Sequence, residues 1–568
     1  MAKRVIIDPI TRIEGHLRVD VEVDGGKVTN AWSSAQMFRG IEKILQGRDP
    51  RDAWVFAQRF CGVCTTVHAI ASVRAVENAF KLEIPLNAQF VRNIIIAAHN
   101  LQDAIVHFYH LSALDWVDIV SATKADPAKA ASIAQSISEW PGNNVHEFAA
   151  AKERLIKFVS TGKLGIFGSG YWGHPAMKLP PEVNLIAFSH YLKALDYQRL
   201  ASQAVAVLGG KEPHIQNLCV GGVATAINMD NPSTLNMERI ELIRKNLEEV
   251  KQFVNQVYIP DVLAVGSFYK DWFSYGAGVT NYLSVPEFPT DTKNTEFLDV
   301  GGVILNGDLG TFRQIKDWND EDLRGKITES TAHAWYADDS ALHPWKGESE
   351  PKYTSSGEVF GDKYTWCKAP RYDGKPFQVG PLAQVLAAYV MKDPKTVSLV
   401  NHCLKTAGLE PKHLHSTLGR HAARAIRASV TVDRGLENID LLLANLASGD
   451  REYVNPEYAN PNTELPKEEF IGAGFHEAPR GMLSHWIVIN NGAIERYQAV
   501  VPSTWTAGPR DAEGNMGPYE ASLMDNPVAV PEQPLEAIRT IHSFDPCIAC
   551  AVHTFDPEGK ELVRVKVD

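Results

Sequence analysis

Residues 89–116, QFVRNIIIAAHNLQDAIVHFYHLSALDW, sit in an apolar pattern that runs from Pro85 to about Val120. Its length and its 3.6-residue periodicity predict a buried helix. Within it His99, Asp103 and His107 fall at i, i+4 and i+8, a spacing that usually marks a satisfied polar seam between packed helices. Helical patterning extends outward from this segment. It covers the chain from about Pro50, then roughly 181–208, 234–258, 380–407 and 416–447. At both chain ends the period shortens to two. LRVDVEV (17–23), the turn DGG and KVTNAW (27–32) read as a β-hairpin, and HWIVIN (485–490), Asn491-Gly492 and AIERYQAVV (493–501) read as another. The last residues, DPEG followed by KELVRVKVD, predict a turn and an alternating strand over 556–568.

The fold class expected is therefore multi-domain α+β, with a central bundle of long helices and small peripheral sheets near both chain ends. The regions read as an N-terminal β part (1–48), a helical core (49–309), an irregular excursion rich in Trp, Tyr, Asp, Gly and Pro (310–375), a second helical stretch (376–450), a mixed α/β part (451–553) and a C-terminal extension (554–568). A length of 568 residues suits roughly three or four structural regions at about 150 residues each. Hydrophobic residues make up 45% and charged residues 22%, which is globular rather than disordered. The formal net charge of −12 argues against a nucleic-acid partner, because binding phosphates needs a basic footprint. The N-terminus, MAKRVIIDPITRIEGH, reads as having no signal peptide, and no run of apolar residues reads as a membrane span.

Four of the seven cysteines form two C-x-x-C pairs, Cys61/Cys64 and Cys547/Cys550. Cys219, Cys367 and Cys403 stand alone. An odd count in a chain this long does not suggest a disulfide framework. If the first pair opens the helix that follows (TTVHAIASVRAVENAF), Cys64 and His68 share one face. In SFDPCIACAVH, Asp545 reads as an N-cap and Pro546 as the first helical residue. That puts Cys547 in the first turn, where the helix dipole favours a thiolate. Cys550 and His553 follow at i, i+3. Two such pairs most simply mean a four-sulfur zinc site. Structural zinc, however, clips short local loops in small domains, whereas 483 positions separate Cys64 from Cys547. Such a span points to a centre buried in the middle of the fold. Sulfur ligation selects nickel, iron, copper(I) or zinc, and spacing does not choose among them.

Six blocks narrow the choice: RIEGH (12–16), RGIE (39–42), RFCGVC with a downstream histidine (59–68), HEAPRGMLSHW (476–486), VVPSTW (500–505) and DPCIACAVH (545–553). Together and in this order they resemble the signature blocks of nickel–iron hydrogenase large subunits, closest to the membrane-associated respiratory uptake type. The resemblance implies that Cys61 and Cys547 are terminal nickel ligands and that Cys64 and Cys550 bridge nickel to an iron carrying cyanide and carbon monoxide. It implies that Ser503, after Pro502, hydrogen-bonds a cyanide, that Pro479 walls the diatomic pocket and that His68 hydrogen-bonds the Cys550 sulfur. Cysteine at all four positions sets the chain apart from the selenocysteine variant.

Splitting dihydrogen heterolytically needs a Lewis acid for hydride and a base for the proton. The resemblance offers Cys547 and Arg480 as bases, with Asp103 and Asp545 paired to the arginine and Glu14 relaying the proton outward. A normal arginine stays protonated, which favours Cys547 as first acceptor. Glu42, His553 and the backbone carbonyl of Ala499 would bind magnesium, or iron in some relatives.

Maturation in the family implies nickel-insertion chaperones and an endopeptidase cutting after His553, releasing Thr554–Asp568. Cys219, Cys367 and Cys403 are too scattered for an iron–sulfur cluster, so electrons must leave through a partner. The resemblance makes that partner an iron–sulfur small subunit with a twin-arginine signal. The large subunit is then co-exported to the periplasmic face of the membrane, beside membrane electron-acceptor subunits. The rival readings are a non-catalytic four-cysteine zinc or iron–sulfur protein and a cytosolic hydrogenase of another subgroup.

Overall fold

The computed structural model describes residues 2–162, 167, 171–354 and 361–551. The expected terminal strand over 556–568, His553 and the side chain of Cys550 lie outside the described residues.

The central apolar segment forms the helix Leu86–Val106, buried on nearly every face. The expectation of one helix to about Val120 needs correcting. The backbone widens into a π-type turn over His107–Ser112 and then tightens into a 3-10 turn over Ala113–Asp115. Long-range bonds within the chain accompany the change: His107 donates to the carbonyl of His542 at 2.6 Å, and Arg12 donates to that of Leu111 at 2.5 Å. These bonds hold carbonyls and rings in positions a regular helix would not give them.

The helix Thr417–Ala447 packs along Leu86–Val106, and Pro181–Gly209 covers another face. Gly435 permits the close approach: a Cβ there would stand 3.1 Å from Ala97 Cβ and from a methyl of Leu247. Ser416 caps Thr417–Ala447 by accepting the Gly419 N–H at 3.0 Å. The 380–407 stretch is two helices, Pro381–Val390 and Pro394–Ala407. Lys392 at φ 61 breaks the run, and Asp393 caps the second helix ahead of a proline in its first turn.

The N-terminal sheet has three antiparallel strands, Lys3–Ile7, Leu17–Asp24 and Lys27–Ala35; the sequence reading found only the last two. The C-terminal sheet also has three, Phe470–Ala478, Gly481–Asn490 and Ala493–Val500, and again the first was missed. Phe470–Ala478 carries glycines where a strand normally carries side chains, because the helix Val67–Phe80 lies directly on it. A Cβ at Gly472 or Gly474 would stand 2.2 or 2.1 Å from the carbonyl oxygen of Ala75 or Ala71. The excursion at 310–375 is less irregular than expected. The strand Asp308–Ile315 belongs to one small sheet, and Ile327–Ser330, Ala341–Leu342 and Ala369–Tyr372 form another. Its Trp335, Tyr336 and Trp366 join the N-terminal strands and Ile548 in one apolar core. The two chain ends therefore meet. No helix among the described residues is long and apolar enough to cross a membrane.

Candidate metal centre

Cys61 ends the 3-10 turn Gln58–Phe60 in an extended conformation, and the next bend returns two backbone N–H groups to its sulfur. Val63 N and Cys64 N donate to Cys61 Sγ at 3.2 and 2.9 Å. Donors aimed at sulfur favour the thiolate. Helix Val67–Phe80 begins only at Val67, so Cys64 lies ahead of it; the expected shared helical face with His68 does not exist.

Cys547 comes in from the far end of the chain. Its Sγ lies 3.2 Å from Cys61 Sγ and 3.6 Å from Cys64 Sγ, and all three sulfurs fall within 4.8 Å of one another. A disulfide needs about 2.05 Å, and none of the three is in one. All three are buried.

The second C-x-x-C is held differently from its sequence reading. Asp545 does not cap a helix: it has φ 61, and its carboxylate faces Arg480. The helix is short, Ile548–Ala551, and Cys547 stands before it rather than in its first turn. The N-terminal RIEGH segment fixes that geometry. Glu14 N donates to Pro546 O at 3.3 Å and Ile548 N donates to Glu14 O at 2.8 Å, bracketing Cys547. Gly15 makes this possible, since a Cβ there would stand 2.4 Å from Ala549 N. The Glu14 side chain then reaches the site. Its Oε2 accepts from Ala549 N at 2.9 Å and lies 3.3 Å from Cys547 Sγ. Burial, with the negative charge of Cys61 adding to it, pushes the Glu14 carboxyl up to about 7.

Arg480 sits in the tight turn between Ala478 and Gly481, at the start of the second C-terminal strand. Its guanidinium donates to Asp103 Oδ2 at 2.8 Å, Asp545 Oδ1 at 2.7 Å and Asp545 O at 2.9 Å. Burial opposes its charge, but Asp103, Asp545 and the cysteine sulfurs outweigh that and hold its pKa well above the ordinary arginine value. It is a fixed cation. Pro502 opens the helix Pro502–Ala507, and Ser503 Oγ accepts the Cys547 N–H at 3.0 Å. Its hydroxyl hydrogen is left to donate elsewhere. His68 Nδ1 pairs with His485 Nε2 at 3.0 Å, while His68 Nε2 has no partner among the described residues. Burial pulls the His68 pKa down to about 3, so the ring is neutral.

Glu42 lies elsewhere, at the foot of the last strand. Its Oε1 accepts the Ala499 N–H at 2.9 Å, and Ser349 donates to its Oε2. The contact shown is with the amide of Ala499 rather than its carbonyl. Lys368 is close by, bonded to Gln498 Oε1 at 2.8 Å. Among the described residues Glu42 joins no cluster of three metal-binding side chains, whereas Cys61, Cys64 and Cys547 do.

The sequence reading missed Arg39, His214 and His485. Arg39 donates to the carbonyls of Phe60 and, at 2.8 Å, Ala549, clamping the two cysteine segments together. Its place in the RGIE block was the available signal. His214 Nε2 bonds the Cys61 carbonyl at 2.9 Å, and nothing in its local sequence marks it.

A buried cluster of soft sulfur donors drawn from both chain ends, flanked by a proton-holding carboxyl and a fixed guanidinium, fits the class of proteins that hold a metal on thiolates beside a group able to carry a proton. The comparisons say which. Residues 39–553 match the family model described as nickel-dependent hydrogenase, and residues 4–34 match one described as HoxL-like. The chain is 51% identical to the Hydrogenase-2 large chain of Escherichia coli over the whole length of both. It is 46% identical to the uptake hydrogenase large subunit of Bradyrhizobium diazoefficiens, covering 100% of this chain and 97% of the other. Among solved structures, a [NiFeSe] hydrogenase variant from Desulfovibrio vulgaris Hildenborough superposes with a TM-score of 0.76 at 32% identity, covering 97% of this chain and 100% of that one. The chain belongs to the nickel-dependent hydrogenase family, as a catalytic large subunit and an oxidoreductase.

Proposed function

We propose that this chain splits dihydrogen reversibly at a nickel–iron centre held by Cys61, Cys64, Cys547 and Cys550. The observation that carries the reading is the convergence of Cys61, Cys64 and Cys547 Sγ within 4.8 Å, beside Glu14. The described donors fit the group: Cys61, Cys64 and Cys547 are buried sulfurs outside any disulfide, and backbone N–H donors on Cys61 stabilise a thiolate. Cys61 and Cys547 would bind nickel, and Cys64 and Cys550 would bridge nickel and iron. Cyanide and carbon monoxide would complete the iron, in a pocket walled by Pro479, with the remaining hydroxyl hydrogen of Ser503, after Pro502, on one cyanide. When bound, the centre supplies the Lewis acid and the electron acceptor that dihydrogen requires.

The rest falls to the chain itself. Cys547 Sγ accepts the proton and passes it to Glu14 Oε2, 3.3 Å away. A carboxyl with its pKa near 7 gives and takes a proton with little bias, as reversible turnover demands. Arg480 stays protonated between Asp103 and Asp545, a positive charge beside the reacting sulfur rather than a base. His68, neutral and with no partner for its Nε2 among the described residues, would donate a hydrogen bond to the Cys550 sulfur, a contact that would tune the metal. Magnesium would take Glu42, the carbonyl of Ala499 and His553.

Electrons would leave through an iron–sulfur small subunit. The remaining cysteines are single thiols, and burial pushes Cys219 and Cys403 up to about 11, away from the thiolate form. Co-export to the periplasmic face, membrane electron-acceptor subunits, nickel-insertion chaperones and cleavage after His553 complete the reading. Infrared spectroscopy and elemental analysis of the purified heterodimer test it. Carbonyl and cyanide bands with stoichiometric nickel are expected. One zinc, no nickel and no such bands would mean a four-sulfur structural site instead.

A further inference from the structure

Behind the Arg480–Asp545 ion pair lies a group of buried polar atoms with no hydrogen-bond partner among the described residues. They are Arg424 Nε and Nη1, Asp545 Oδ2, Tyr258 Oη, His107 Nδ1 and both ring nitrogens of His421. The side chains are neighbours. His107 and His421 stack at 5.5 Å, His421 meets the edge of Phe108 at 6.1 Å, and Phe108 contacts Tyr258 at 5.0 Å. Arg424 lies one helical turn beyond His421 and is tethered to the chain segment that carries Asp545, donating from Nη2 to Ser543 O at 3.1 Å. His107 is tethered to the same segment through His542 O. Every one of these side chains is at least nine-tenths buried. Leaving so many polar atoms unsatisfied would cost about 1–3 kcal/mol each, so something satisfies them.

The chemistry of the atoms identifies the occupant. Arg424 can only donate. Asp545 Oδ2 can only accept. His107 Nε2 faces a carbonyl, which fixes the hydrogen there and leaves Nδ1 as an acceptor. The Tyr258 hydroxyl and the neutral His421 ring do both; burial, then the charge of Arg424, keeps that ring well below the ordinary histidine value. An anion could not serve Asp545 or His107, and a cation could not serve Arg424. Water serves all of them. At about three hydrogen bonds per buried water, the seven atoms call for about two or three molecules.

We infer that ordered water fills the space between Arg424, His107, His421, Tyr258 and Asp545, and that through it Arg424 acts as a positioning residue, holding Asp545 and hence Arg480 in place beside the cysteine sulfurs. Asp545 is then shared by two guanidiniums, one directly and one through solvent. This rests on the hydrogenase reading for its effect on catalysis, but not for the water.

The test uses the metal-loaded heterodimer and three variants, Arg424→Met, Arg424→Lys and Tyr258→Phe. A high-resolution crystal structure of the unaltered enzyme should show at least two waters bonded to Arg424 and to Asp545 Oδ2. Arg424→Met should retain nickel, lose roughly 10–100-fold in hydrogen oxidation rate through misplacement of Arg480, and shift the infrared bands of the diatomic ligands. Arg424→Lys should restore both in part. If Arg424→Met does not fold, Tyr258→Phe keeps the test open by deleting one water partner while leaving the ring on Phe108; it should lose one water and shift the same bands less. A dry space, a direct Arg424–Asp545 bond, or unchanged rate and bands in Arg424→Met or Tyr258→Phe would overturn the inference. Unaltered protein without nickel or activity, but with the waters present, would instead overturn the hydrogenase reading.

Discussion

Glu14 Oε2 lies 3.3 Å from Cys547 Sγ, joining two residues 533 positions apart in the chain. The same oxygen accepts the Ala549 N–H, so the carboxyl is held at the sulfur rather than sampling it. Glu14→Gln keeps the size and the acceptor for Ala549 but cannot carry a proton. Hydrogen oxidation should fall roughly 10²–10⁴-fold, the range for losing a positioned acid–base group, with nickel content and infrared bands unchanged. A variant that turns over as fast as the unaltered enzyme would remove Glu14 from the proton path.

Arg480 is buried between two carboxylates, and the three charges stand or fall together. Arg480→Met leaves Asp103 and Asp545 without the cation that bonds both directly, which should cost about 3–5 kcal/mol of stability. Arg480→Lys keeps a charge but not the planar fork that reaches both carboxylates at once, so it should fold yet turn over more slowly. Thermal melting and turnover of the two variants separate these effects. Equal melting temperatures for Arg480→Met and the unaltered enzyme would mean that the ion triad contributes nothing to the fold.

What was legible in the sequence follows from what is local. Hydrophobic period gave the long helices and both hairpins, because an amphipathic or buried segment records its own environment. Each sheet's first strand, Lys3–Ile7 and Phe470–Ala478, was missed for local reasons: one is short, and the other is interrupted by Gly472 and Gly474, whose purpose is visible only once the helix Val67–Phe80 lies on them. The C-x-x-C motifs located the cysteines and pointed to a centre joining the chain ends. The local readings around them failed, however, because tertiary bonds overrode propensity. Asp545 has good N-cap chemistry but spends its carboxylate on Arg480, a partner 65 residues away. Arg39 and His214 act on carbonyls of the cysteine segments, and no spacing rule marks such contacts.

Glu477 offers a pH test that does not depend on metal. Its carboxylate faces Val285 N and the Gln384 amide inside the protein, and burial, the largest cause, pushes its pKa from 4.5 up to about 8. A raised carboxyl pKa means that the folded state holds the proton more tightly than the unfolded state. Its stabilising contribution is complete below 4.5 and is lost as pH rises through about 8, at about 1.4 kcal/mol per pH unit in between. Glu477→Gln mimics the protonated form and should flatten that part of the profile. Melting temperatures measured across this window should fall more steeply for the unaltered protein than for the variant; parallel curves would show that Glu477 is not the group responsible.

Gly15 makes the sharpest prediction about how the chain ends are held together. It has φ +81, and a Cβ would stand 2.4 Å from Ala549 N and 3.0 Å from Ile548 C, both backbone atoms that cannot swing aside. Gly25 also has positive φ, +57, but nothing lies within 4 Å of where its Cβ would be. Gly25→Ala should therefore cost only the left-handed backbone preference, about 1–2 kcal/mol. Gly15→Ala adds overpacking of about 1–3 kcal/mol and, more tellingly, must push the RIEGH segment off residues 546–549. That breaks the bond from Ile548 N to Glu14 O and carries the carboxyl away from Cys547. Activity should fall with stability in Gly15→Ala but not in Gly25→Ala. Should both variants keep full turnover, the close approach of the two chain ends would not be what places Glu14 at the sulfur.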